Sequence, residues 1–353
     1  MNEKTLDNRC PSCAAPIFFK PTLGKWKCDY CDSVFTLEQL QKFNNASNSK
    51  VNSNTIDSEI NYVAYTCKDC GAEIIADEQT AATFCVYCGN TAILKNKLSG
   101  EFRPSKIIPF KVEKEVAIES FKSISKGRPL MPKMFNKIEN IEKIRGIYIP
   151  FWLYDINVAG SLNADGEKIS VWISDDRQFT KVDFYKIYRT ATMDYLKIPV
   201  DGSTRFDDDM MSTIEPFNYE ELVDYNHAYL SGFFAEKYDV DNEKAYSQAS
   251  QRAVDSTYDD MKKDMGNFMN KSVFENTLAP RLLKSEYVML PVWMVNVKYK
   301  SKNYLFAMNG ETGEFVGDIP VDEKKAFIMA IIIFFSIFIV SIGISYIMYL
   351  VGV

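Results

Sequence analysis

Eight cysteines constrain this chain more than any other feature. They form four Cys-x-x-Cys pairs, Cys10/Cys13, Cys28/Cys31, Cys67/Cys70 and Cys85/Cys88, with none left over. The first two pairs are separated by Ala14–Lys27 and the last two by Gly71–Phe84, 14 residues in each case. Each cysteine of the first set maps onto the second by an offset of 57, which also aligns Ile17 with Ile74 and Tyr30 with Tyr87. The array therefore reads as two copies of one unit. Two residues between cysteines let one tight turn aim both sulfurs at a single ion, and two such turns complete a tetrahedral thiolate site of the kind zinc prefers. The expected ligands are Cys10, Cys13, Cys28 and Cys31 for one Zn2+ and Cys67, Cys70, Cys85 and Cys88 for a second. Disulfides and a rubredoxin-like iron are the alternatives; a reducing compartment disfavours the former. Four thiolates leave no open coordination position, so both ions are expected to be structural. Each would hold together a unit too small to fold on its own core. Gly71 and Gly89 directly follow their knuckles, where a left-handed backbone is often required. The first copy has Ala14 and Asp32 there, and Asp tolerates that conformation better than most side chains.

The other end of the chain carries a second strong signal. No charged residue occurs from Ala326 to Val351, a run of 26 residues. As a helix it would reach roughly 39 Å, more than the hydrocarbon core of about 30 Å requires. Lys324 and Lys325 precede the run and nothing basic follows it. The positive-inside rule then places residues 1–325 in the cytoplasm and the C-terminus outside, as a tail-anchored, single-pass protein of the cell membrane. Ser341, Gly343 and Ser345 form a stripe suited to packing against another membrane helix. No secretory signal pattern is present at the N-terminus.

Charge bears on partners. The net charge is −6 over 353 residues. Residues 1–100 hold 10 basic and 11 acidic side chains, and each tetrathiolate zinc site would add a formal −2. Phosphate backbones are repelled by such a unit, which argues against nucleic acid as the partner. Residues 101–145 hold 11 basic and 6 acidic side chains, which reads as an ordinary solvated face, with proximity to an anionic bilayer surface as the alternative.

Between these ends the chain reads as a β-rich α+β domain. Residues 43–60, rich in Asn and Ser, read as a flexible linker. Strands are expected at 105–112, 145–158, 168–174 and 179–190, with Asp175 and Asp176 at a turn. Helices are expected at 113–126, ended by Gly127, at 219–238 and at 241–268. A β-meander follows over 288–317, with turns at 301–303 and 309–313. Ile149-Pro150-Phe151-Trp152-Leu153 echoes Leu290-Pro291-Val292-Trp293-Met294, as a duplicated β-rich half would. Proline suits the start or edge of a strand. The expected organisation is a first zinc ribbon at 1–42, the linker at 43–60, a second ribbon at 61–98, the cytoplasmic α+β domain at 99–322 and a transmembrane helix at 326–351.

Catalytic signals are sparse. His227 is the one histidine, on a helix pattern. No phosphate loop, dinucleotide fingerprint or nucleophile elbow occurs. Ser123 and Lys126 match a Ser–Lys dyad by spacing alone. Asp207–Asp209 read as a solvated acidic loop, and Glu220 and Glu221 as residues favouring a helix N-terminus. No catalytic residue and no small-molecule substrate is expected.

The ordered motifs along the chain resemble the YdjG-type membrane-anchored zinc-ribbon proteins, encoded beside a phage-shock protein A homologue in some Gram-positive bacteria. They are the paired tetracysteine units, LSG at 98–100, KIIPF at 106–110, GIYIPFW at 146–152, DYLKIPVD at 194–201, EPFNYEEL at 215–222, AYLSGFFAEKY at 228–238, LPVWMV at 290–295 and FAMNGETGEFVGDIP at 306–320. Such proteins often carry a TFIIB-type zinc-ribbon label, which describes only the cysteine unit. The resemblance implies a scaffold that works with a second membrane protein to hold a flotillin-like SPFH protein at the membrane. That protein in turn brings the phage-shock protein A homologue during envelope stress. The resemblance carries the zinc-ligand role to all eight cysteines and offers no catalytic residue. Two other readings stand beside it: a ribbon protein associated with nucleic acid or transcription, and an enzyme housed in residues 99–322.

Overall fold

The computed structural model describes residues 9–48, 63–76, 85–88, 93–97, 104–124, 127–132, 135, 143–205, 208–300 and 302–351. It is a mixed α+β structure built on one large branched sheet. At its centre β8 (Arg145–Ser174) and β13 (Ala279–Tyr299) run antiparallel, from Met294 opposite Arg145 to Ala279 opposite Ala159. Along β8, Ile147, Ile149, Phe151 and Leu153 face one core, while Tyr148, Trp152, Tyr154, Ile156 and Val158 face another. β13 divides the same way, with Val288, Leu290, Val292 and Met294 against Tyr287, Met289, Val295 and Val297. Both faces are buried, which is why these segments are almost continuously apolar rather than alternating.

The echo between the two proline-containing segments has a structural counterpart. Pro150 and Pro291 lie inside long central strands, not at a strand start or edge as expected. Each sits where one flanking strand stops and another begins. Beside β8, the parallel strand β11 (Phe234–Glu236) covers Ile147 and Tyr148, and β9 (Arg177–Asp201) takes over from Phe151. Beside β13, the parallel strand β7 (Lys106–Ile107) covers Val288 and Met289, and β14 (Lys302–Asn309) takes over from Val292. The missing N–H of each proline therefore falls in a gap of the ladder. Each proline carbonyl still accepts a bond, from Gly202 N at 2.9 Å and from Gly310 N at 2.8 Å. Trp152 donates its indole N–H to Val240 O, and Trp293 donates to Val112 O, both at 2.9 Å. The two halves thus repeat one another around the sheet centre.

Strands expected separately at 145–158 and 168–174 are one continuous β8. The intervening residues pair with β12 (Met269–Asn276), far along the chain, between Leu162 and Glu167. Gly160 permits the crossing, because a Cβ there would lie 2.5 Å from Thr277 O. β9 extends antiparallel to β8 through a two-residue turn in which Asp175 and Asp176 have φ of 49° and 58°. That conformation defines the hairpin turns whose twist matches the strands.

Of the expected strand over 105–112 only Lys106–Ile107 is strand, flanked by bonds from Ser105 N to Tyr287 O and from Ile108 N to Met289 O. Helix α2 (Lys114–Ser123) falls within 113–126. A short helix, α3 (Asp208–Ile214), precedes the segment expected to be helical over 219–238. That segment is instead two 3-10 turns, Tyr219–Glu221 and His227–Leu230, with β10 (Val223–Asp224) and β11. Asn218 and Asn226 accept bonds from Glu220 N and Ala228 N, the local side-chain bonds that compete with helix. Phe234–Glu236 is buried throughout, so the sheet claims it. Helix α4 (Asn242–Asp264), capped by Asp241 accepting from Lys244 N, packs Ala245, Ala249, Ala253, Thr257 and Met261 inward. β15 (Phe315–Gly317) completes the meander.

Candidate metal centres

The first cysteine unit is a three-stranded sheet, β1 (Ile17–Lys20), β2 (Lys25–Cys28) and β3 (Val34–Phe35), followed by α1 (Leu37–Asn48). The helix enters the stretch expected to be linker; residues 49–60 lie outside the described residues. The second unit is built from β4 (Val63–Cys67), β5 (Glu73–Ala76) and β6 (Ile93–Lys97). The Arg9–Pro16 bridge of the first corresponds, at the offset of 57, to the Thr66–Glu73 pair of the second.

The turns that carry the thiols follow one plan. Cys10 N donates to Ala15 O and Ala14 N to Cys10 O; Cys28 N donates to Ser33 O and Asp32 N to Cys28 O; Cys67 N donates to Ala72 O and Gly71 N to Cys67 O. Each turn is closed by a residue of positive φ: Ala14 at 59°, Asp32 at 58° and Gly71 at 70°. The backbone that the glycines imply in the second unit is thus adopted by Ala and Asp in the first. Gly89 lies outside the described residues.

All eight cysteines gather into the two expected groups. Within each group the sulfurs lie within 4.8 Å of one another. Sulfur separations include 3.5 Å for Cys10–Cys31, 3.6 Å for Cys13–Cys28, 3.6 Å for Cys67–Cys88 and 3.7 Å for Cys70–Cys85. A disulfide would bring sulfurs to about 2.0 Å, and all eight thiols are free. A tetrahedron with metal–sulfur bonds of about 2.3 Å has edges of about 3.8 Å, which fits the observed spacing. Each group could therefore hold a metal ion. The hydrogen bond with Ser33 holds the Cys31 thiol down at about 6, while burial pushes Cys85 up.

The surroundings of the two groups differ. The first unit rests on the 3-10 turn His227–Leu230: Trp26 is buried, donates to Ala228 O at 2.8 Å and sits 5.1 Å from the Tyr229 ring, and Phe19 N donates to Ser231 O at 3.3 Å. The second unit is part of the main sheet, because β5 pairs with β11 through Ile75–Ala235 and Ile74–Glu236. Around it lies a polar network. The buried Glu236 carboxylate accepts from Tyr87 OH at 2.6 Å and Ser203 Oγ at 3.0 Å, and pairs with Arg205 at 3.1 Å. Arg205 also donates to the knuckle carbonyls of Cys70 and Gly71, at 3.2 and 2.9 Å. The Asn296 amide donates to Tyr87 O. Burial pushes the Glu236 carboxyl up to about 7, against the opposing pull of Tyr87, Ser203 and Arg205. Ser203, Arg205 and Asn296 lie outside the motifs, Glu236 lies within AYLSGFFAEKY, and nothing in their spacing announces this network.

Among the described residues, the candidates for chemistry do not converge. Ser123 donates to Ser120 O within its own helix, and Lys126 lies outside the described residues. Asp208 and Asp209 open α3, and Asp207 lies outside the described residues. Glu221 pairs with Lys111 at 3.2 Å, and His227 opens a 3-10 turn.

The apolar run forms α5 (Glu323–Val351). It is long and apolar enough to cross a membrane once, and none of its apolar window is buried, unlike the core helix of a soluble domain. Its base is tied to the domain: Asp322 N donates to Leu130 O, Lys325 Nζ to Met131 O at 2.6 Å, and Lys300 pairs with Glu323 at 3.2 Å. Part of the basic segment 101–145 therefore stands where the helix leaves the domain.

One known protein matches along nearly the whole chain. Uncharacterized protein YdjG of Bacillus subtilis (strain 168) is 35% identical over 319 residues, which are 90% of this chain and 91% of that protein. This chain belongs to the YdjG family. No family model and no solved structure matches it. In this member of the YdjG family, two cysteine groups suited to metal and one exposed apolar helix occur on a single sheet-centred body.

Proposed function

We propose that the protein is a non-enzymatic, membrane-anchored zinc-ribbon adaptor. Its two structural Zn2+ ions are held by Cys10, Cys13, Cys28 and Cys31 and by Cys67, Cys70, Cys85 and Cys88. Helix α5 crosses the cell membrane once, with residues 1–325 in the cytoplasm. There, with a second membrane protein, it holds an SPFH-domain protein, and through it a phage-shock protein A homologue, at the membrane in envelope stress. The observation that carries this reading is the pairing of two four-thiol groups, each closed to a substrate if filled by zinc, with an exposed apolar helix tied to the same body. Thiolate-filled coordination leaves zinc without a position for a reacting water, so its contribution there is structural. Isolation of the tagged full chain from membranes in mild detergent should yield two zinc ions per chain and recover an SPFH-domain protein. Clean isolation without such a partner would refute the adaptor role, and a metal content other than zinc would refute the metal assignment.

A further inference from the structure

The far half of the β8–β9 hairpin leaves an apolar strand edge uncovered. β12 follows β8 only as far as Glu167, and beyond that point no described residue pairs with this edge. The uncovered stretch, Lys168–Ser174, reads KISVWIS. Ile169, Val171 and Ile173 are exposed, Ile173 by 75%. Their cross-strand partners are Val182, Thr180 and Gln178, and Phe184, 77% exposed, extends the same face. Natural sheet edges are usually blunted by charge, proline or a bulge, and this one carries only Lys168, at its inner end.

The backbone register decides what fits. The two-residue turn makes Ser174 and Arg177 a hydrogen-bonded pair. Alternation then turns the N–H and C=O groups of Ile173, Val171 and Ile169 toward the free edge. The same three residues carry the apolar face.

We propose that this edge pairs antiparallel with the same edge of a second copy, about a two-fold axis through Val171. In that register Val171 faces Val171 of the second copy and Ile169 faces Ile173, twice. Every outward backbone group of the stretch is then bonded, and one face becomes a continuous apolar strip. Trp172 faces Ser170, and Lys168 faces Ser174, so no like charges oppose one another within Lys168–Ser174. The contact is isologous and closes at two copies. A lipid surface fits less well. The base of α5 lies beside Lys300, at the end of the sheet where Met294 meets Arg145, and the tip lies at the opposite end of β8. At about 3.3 Å per residue, that strand places the tip on the order of 100 Å away along the sheet.

One strand pair is smaller than a standard stable interface of about 1,600 Å², so association on the order of micromolar or weaker is expected. Sedimentation velocity of the full chain in mild detergent, carried to about 100 µM, should show a monomer–dimer equilibrium. Val171→Lys places two like charges face to face and should weaken it by roughly tenfold or more. Ile169→Lys and Ile173→Glu should each weaken it. Combined in one chain they should restore it, because each lysine then faces a glutamate of the second copy. Retained metal content and helix signal would show that these exposed substitutions leave the fold intact. The proposal is overturned by a wild-type chain that stays monomeric, by association that Val171→Lys leaves unchanged, or by a combined variant no better than its single parents. It does not depend on the adaptor reading, and recovery or loss of an SPFH partner would not alter these outcomes.

Discussion

Tyr30 and Tyr87 occupy equivalent places in the two cysteine units, between the last two thiols of each. Tyr30 is 83% exposed, whereas Tyr87 is 9% exposed and donates to a buried carboxylate. The difference follows from how each unit meets the body. The first lies on it through Phe19 and Trp26 against Tyr229. The second continues its sheet through β5 and β11, and its knuckle carbonyls are gripped by Arg205. A repeated local spacing can thus produce the same thiol geometry with different mechanical coupling.

The sharpest contrast should come from the thiols. If each group holds a zinc ion as proposed, Cys85→Ser and Cys28→Ser should each remove one. A structural zinc site contributes roughly 10 kcal/mol or more in small ribbons. In the second unit that free energy is shared with β11 and β8, so Cys85→Ser should lower the thermal midpoint of the whole body and expose Ala235 and Tyr148 to hydrogen exchange. Cys28→Ser should expose residues 9–48 and leave those amides protected. Equal loss of protection in the two variants would remove the distinction.

Next in size is the ion pair. Arg205→Ala leaves Glu236 buried without its cation and should cost about 3–5 kcal/mol in denaturant unfolding. Lys27→Ala, which breaks the exposed pair with Asp32 at 2.8 Å in the first unit, should be silent. Glu236 also carries a pH signature. Its folded carboxyl is raised from 4.5 to about 7, so the folded state binds more protons than the unfolded state between those values. Stability should therefore fall as pH rises through that window, and Glu236→Gln should flatten the slope.

A smaller effect separates the tyrosines. Tyr87→Phe removes the hydroxyl bonded to Glu236 and should cost about 1.5–3 kcal/mol, the usual range for a bond to a charged group. Tyr30→Phe should match the parent in the same unfolding experiment. The smallest expected change has the opposite sign. Ala14→Gly relieves a left-handed alanine and should stabilise the first unit by about 1 kcal/mol, seen as slower exchange across β1 and β2. Gly71→Ala should destabilise the second by a similar amount.

Much of this is legible in the sequence. The thiol groups were legible because a tetrahedral ion imposes its spacing on nearby residues. The Asp175–Asp176 turn is legible because few residues tolerate its backbone, and the apolar stretches 145–158 of β8 and 288–299 of β13 because burial on both faces demands unbroken apolar runs; that β8 continues to Ser174 and that β13 starts at Ala279 are not. The segment 219–238 was not legible. Its periodicity resembles a helix, but Phe234–Glu236 is strand because two strands distant in sequence, β5 and β8, bond to its two edges. The interior positions of Pro150 and Pro291 were hidden for the same reason: a gap in a ladder exists only once the flanking strands are placed.

Two equivalent thiol sets, an apolar helix and a core of two-sided strands are written in the residues alone, since each depends on spacing or composition within a short window. That one unit is fused to the central sheet while the other is laid on a 3-10 turn of the body follows only from the folded arrangement. Arg205, Glu236 and Asn296 reach the second unit from remote parts of the chain, and only folding brings their charges and amides to its turns.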